Sequence, residues 1–129
     1  MAVAKQLTIV VDNKRGALAE ICSKLAERAV NILGLFVADG PGKAPVRLVV
    51  NRAETAKRVF DDLGLKYSEE EVVAAHLSDR PGALGKLTRK LADMDVDVKY
   101  AYGSISRGSK RALIILAVSD PEAAARVIK

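Results

Sequence analysis

The sequence predicts an α+β fold built twice. Each unit reads strand, helix, strand, strand, helix, with an antiparallel sheet and both helices on one face, and in the first unit a further strand follows. Three observations carry this. The run Asn13-Lys14-Arg15-Gly16-Ala17-Leu18 returns as Asp79-Arg80-Pro81-Gly82-Ala83-Leu84, an offset of 66 residues. Behind it, Ile21, Leu25, Ala26, Val30 and Ile32 return as Leu87, Leu91, Ala92, Val96 and Val98. Within each copy the apolar period switches from two to three-and-four and back, as it does when strands alternate with amphipathic helices. A tandem duplication with units at 1–70 and 71–129 accounts for all three.

Gln6 to Val11 alternates Leu7, Ile9 and Val11 with Thr8 and Val10, and its near-continuous hydrophobicity marks a central strand. From Gly16 onward Leu18, Ile21, Cys22, Leu25, Ala26 and Ala29 fall on one helix face, so Cys22 is expected to point into the core. Asn31 to Ala38 reads as a strand, broken by Asp39-Gly40-Pro41-Gly42, and Val46 to Val50 as the next. Asn51 to Glu54 has the spacing of a capping box ahead of a helix carrying Ala56, Val59, Phe60 and Leu63 and stopping near Gly64. No linker separates Leu65–Tyr67 from Val72–Leu77, only the run Ser68-Glu69-Glu70-Glu71, so one long strand is expected there. His76 falls in it as a packed or half-exposed strand residue.

The second copy follows the same order. A longer hairpin loop, Ser106 to Arg111, raises the offset to 68, the difference between Glu54 and Glu122. Ser119 to Glu122 repeats the capping box, Pro121 suits a first helical turn, and Val127 and Ile128 match Val59 and Phe60. The sequence then reaches Lys129 with no closing strand for this unit, which implies an exposed sheet edge. The split β-α-β order and the right-handed crossover rule place both helices of each unit on one face.

Composition narrows the function. A single cysteine, Cys22, excludes a disulfide within the chain and a cysteine metal cluster. One Cys and one His in distant elements supply no nucleophile–base pair, and no metal-ligand spacing, Walker loop or dinucleotide fingerprint is present, so neither catalysis, metal nor cofactor is expected. With no leader-like or membrane-length apolar run, the chain reads as soluble, unprocessed and cytoplasmic. The net charge of +5 is dispersed rather than gathered into a tract. Units this small are individually marginal, which favours self-association.

The repeated junction is the candidate site. A strand runs into Asn13 or Asp79, and a glycine then opens a helix whose first N–H groups and dipole attract an anion. Glycine lets a carboxylate approach the backbone, and the Asn or Asp oxygen can accept from an ammonium; together they suit a free amino acid. The alternative is that Asn13 and Asp79 merely cap their helices.

With its strand, Asn or Asp, Gly-Ala-Leu and helix inside tandem units, nearly the whole chain resembles the ACT domain, and specifically proteins made of two ACT domains alone. The resemblance implies ferredoxin-like βαββαβ units, regulatory binding of amino acids, most often at an interface between two such domains, and no catalytic role. It implies ligand contacts from Asn13, Arg15, Gly16, Ala17, Leu18 and Asn31 in the first unit and from Asp79, Gly82, Ala83, Leu84 and Asp97 in the second. Arg15 departs from the proline that Pro81 keeps. The two asparagines suit a neutral amino acid, while the two aspartates would reject an anionic one. A homodimer and a regulated enzyme are the partners implied. Two other readings stand beside this one: an RNA-binding module, disfavoured because Val46–Val50 and Ala112–Val118 hold no aromatic residue for stacking, and a purely structural interaction module.

Overall fold

The computed structural model describes residues 2–105 and 110–127, so the tip of the Ser106–Arg111 loop and Ile128 lie outside the described residues. Two compact units emerge, one of Lys5–Glu70 and one of Glu71–Lys129 together with Met1–Ala4.

In the N-terminal unit β1 (Ala2–Asp12) is followed by α1 (Ala17–Glu27), β2 (Ile32–Val37), β3 (Lys43–Val50) and α2 (Ala53–Asp62). The strand order is β2-β3-β1, and β3 runs antiparallel to both neighbours. In that register Leu7 faces Leu48, Ile9 faces Val46 and Asp12 faces Lys43. The period-2 residues Leu7, Ile9 and Val11 join Ile21 and Leu25 from α1 and Ala56, Val59 and Phe60 from α2 in one core. The head of β4 (Tyr67–Ser78) belongs here too: Glu70 accepts from the amide of the fully buried Gln6 at 3.2 Å, and Glu69 pairs with Lys57 at 2.9 Å. Lys57 also holds Glu54 at 2.9 Å, and hydrogen bonds to the two carboxylates raise its pKa above the ordinary lysine value. The acidic run is therefore part of the strand, and β4 is the single long strand expected.

The C-terminal unit contains the rest of β4, α3 (Ala83–Asp93), β5 (Val98–Ile105), β6 (Arg111–Val118) and α4 (Pro121–Val127). Its strand order is β4-β6-β5, antiparallel throughout, with Val73, Ala75, Leu87, Leu91, Leu116 and Ala124 in the core. Residues 71–129 contribute three strands, as the sequence indicates. The exposed edge expected beside β4 is not left bare, however. β1 neighbours β4, and its residues 2–4 belong to this unit, where a closing strand would stand.

Both capping boxes are corrected. The side chain of Asn51 accepts from the N–H of Asn31 at 2.8 Å, which leaves Arg52 at the start of α2 with no side-chain cap. Ser119 likewise accepts from the N–H of Asp97 at 2.9 Å, and Asp120 takes over as cap by accepting from Ala123 at 3.1 Å. Asn and Ser side chains are short enough to choose between such backbone partners, and here the neighbouring strand wins. Cys22 is half-buried at the margin of the core rather than inside it. At the far ends of α1 and α3, Ala29 and Asp95 take left-handed φ values of 59° and 60°, and the N–H groups of Val30 and Val96 close the turn on Leu25 and Leu91.

Candidate functional site

The repeated junction has one geometry in both units. Gly16 and Gly82 are the N-caps of α1 and α3, each with φ of 89°, and neither helix start has a side-chain cap. A left-handed φ of this kind is open to glycine and strained for other residues. A Cβ at either position would meet nothing within 4 Å, so the backbone faces open space. The helix-capping alternative for Asn13 and Asp79 is not realised. The amide of Asn13 instead donates to the carbonyl of Gly40 at 2.8 Å, and its own N–H to Gly42 at 2.9 Å, pinning the β2–β3 loop. Asp79 repeats the second bond, its N–H donating to Lys110 at 2.9 Å.

In the N-terminal unit this helix start opens on a cavity of about 500 Å³. Arg15, Gly16 and Ala17 line it; Leu18 packs against the core. Asp12, Lys14, Glu20 and Lys43 bring charge of both signs to the walls, and Val11, Ile21, Leu63 and Leu65 supply an apolar side. Lys43 donates to Asp12 at 3.0 Å and Lys14 stands 4.0 Å from its other oxygen. The bond from Lys43, then the two ammonium charges, hold the Asp12 carboxyl below its ordinary value of 3.8. A carboxyl whose pKa is depressed on folding adds stability above its unfolded value, and that contribution is lost as pH falls through the folded one. The melting-temperature gap between the native chain and Asp12→Asn should therefore be constant from neutrality to about pH 5 and close below 3.8. A gap unchanged at strongly acid pH would show that the carboxylate pairing is not its source.

Asn31 does not reach this cavity. It sits at the other end of α1, whose 11 residues span about 16 Å. Asp97 stands in the same relation to the α3 start, so within one unit a single amino acid cannot touch both polar positions assigned to its site.

The C-terminal counterpart is a smaller cavity of about 260 Å³. Ala83 lines it, but Asp79, Gly82 and Asp97 do not, and Leu84 is 47% exposed. The charged residues lining this cavity are instead Arg80, Lys86, Lys90 and Arg111. Among the described residues, no group of three His, Cys, Asp or Glu side chains is placed to hold a metal ion, and no helix is long and apolar enough to cross a membrane.

A family model described as an ACT domain pair matches residues 1–129. The chain belongs to the ACT domain pair family. ACT domains are regulatory domains that bind amino acids and other small molecules, so the pair is a regulatory module rather than a catalytic one. Among solved structures, a protein from Bacteroides thetaiotaomicron is 27% identical with a TM-score of 0.89, the alignment covering 97% of this ACT pair and 85% of that chain. The ligand-free regulatory subunit of aspartate kinase from Thermus thermophilus is 19% identical with a TM-score of 0.69, over 98% and 93% of the two chains. Its counterpart from Thermus flavus is 15% identical with a TM-score of 0.63, over 98% and 94%. These last two show the shared fold. None of the curated proteins matches the chain.

Proposed function

We propose that this ACT pair is a cytoplasmic regulatory or sensor protein that binds a free amino acid with a neutral side chain at the Gly16 loop. One observation carries the reading: a single cavity presents the three complementary surfaces of a zwitterion. The uncapped N–H groups of α1 and the cations Arg15, Lys14 and Lys43 suit a carboxylate. Asp12 and Glu20 suit an ammonium, and Val11, Ile21, Leu63 and Leu65 suit a small apolar side chain. Because Asn31 lies a helix length away, its polar group serves a ligand only as the contribution of a second copy of the chain. The edge strand β2 favours such a homodimer, since it exposes Leu33, Leu35 and Val37. A ligand bridging two copies would shift association by its differential affinity for the paired state, and a regulated enzyme would read that state.

A thermal-shift series across the twenty common amino acids tests this. One neutral amino acid is expected to raise the melting temperature in a concentration-dependent way, with a ligand at about 100 times its Kd adding about 2.7 kcal/mol. A flat response to all twenty would overturn the reading.

A further inference from the structure

We propose that the cavity of the C-terminal unit binds a small anion carrying two or more negative charges, a phosphate monoester or a dicarboxylate, independently of the amino-acid site. The two cavities share several equivalent positions, and both acids of the first are missing from the second. Asp12, the acid that neutralises Lys43 in the first, is replaced by Ser78, and Glu20 by Lys86. Lys43 and Arg111 correspond, each opposite its strand partner in the antiparallel register, Asp12 in one unit and Ser78 in the other. The first cavity therefore carries three cations and two anions, the second four cations and, among the described residues, no carboxylate.

None of Arg80, Lys86 and Lys90 takes part in an ion pair among the described residues, whereas Lys14 and Lys43 do. The like charges of Arg80, Lys86 and Lys90 on one concave surface repel each other, and an anion placed among them removes that repulsion while gaining charge-assisted hydrogen bonds. Guanidinium groups offer the planar fork that fits phosphate and carboxylate oxygens, and Ser78 adds a hydroxyl donor. The space suits a small molecule. An amino acid is poorly matched here, because nothing charged on these walls accepts from an ammonium.

Calorimetric titration at constant ionic strength, with inorganic phosphate, glycerol 3-phosphate, succinate and chloride as separate arms, tests the proposal. Saturable binding of at least one divalent arm is expected, with Lys86→Glu weakening it tenfold or more. Lys86→Glu restores the charge of its counterpart Glu20 on an exposed helix face, so circular dichroism should match the native chain. Amide chemical shifts at Ser78, Arg80 and Lys86 should move with the anion and stay still with a neutral amino acid. Phosphate against succinate separates the two chemistries. Heats equal to those of chloride, binding untouched by Lys86→Glu, or binding confined to an RNA oligonucleotide would each overturn it. A flat amino-acid panel would leave this outcome unaffected, so the two failures are distinguishable.

Discussion

Phe60→Ala is expected to destabilise the N-terminal unit by about 3–5 kcal/mol, read as a fall in the urea midpoint. Phe60 heads the fully buried side chains by volume, and its ring stands 6.2 Å from Tyr67 at a tilt of 48°. It links α2 to the sheet residues Leu7, Ile9 and Leu48 in one core. Truncation removes apolar contact and leaves a cavity that close-packed neighbours only partly fill. A unit of this size has only several kcal/mol of stability in total, so the loss should appear as faster amide exchange along β1 and β3. Phe60→Leu keeps most of the volume and should cost about 1–2 kcal/mol. A loss of unfolding free energy, the midpoint shift multiplied by m, of under about 1 kcal/mol for the alanine variant would contradict the packing described.

The parts of this fold written in local periodicity were legible. Leu7, Ile9 and Val11 alternate, Ile21 and Leu25 recur at helical spacing, and a 66-residue offset exposes the duplication whatever the tertiary structure. The long β4 was legible for the same reason, since nothing between Tyr67 and Leu77 breaks an extended chain. Features that depend on which strands meet were not. Lys43 is far from Asp12 in sequence and reaches it only because β3 pairs with β1 in one register. The place of residues 2–4 in the C-terminal unit is a long-range event of the same kind.

The candidate site divides along that line. That Arg15, Gly16 and Ala17 line one cavity and Ala83 another follows from a junction that is local in sequence. Asn13 and Asp79 were given ligand roles by the family resemblance, and their backbone N–H groups bond to the hairpin loops beside them. The basic character of the second cavity was half visible, since Lys86 and Lys90 stand four residues apart on one helix and so share a face. Arg111 joins them only through its pairing with Ser78.

Exchanging the two acids of the first cavity for their counterparts in the second, Asp12→Ser with Glu20→Lys, is expected to weaken amino-acid binding about a hundredfold. A hydrogen bond to a charged group contributes about 1.5–3 kcal/mol, and each 1.4 kcal/mol is a factor of ten. The exchange removes both carboxylates that can accept from the ammonium and puts a cation in place of one. Helix N–H groups and Arg15 still face the carboxylate, so carboxylate recognition should persist and the same variant should take up succinate or phosphate more readily than the native N-terminal unit does. Both positions are exposed, and the cost to folding should stay within about 1 kcal/mol, the ordinary limit for surface ion pairs. Calorimetry with the amino acid that responds in the thermal-shift series measures the change. Affinity within threefold of the native chain would mean that the ammonium is held elsewhere and that charge of both signs at the Gly16 loop does not select the ligand.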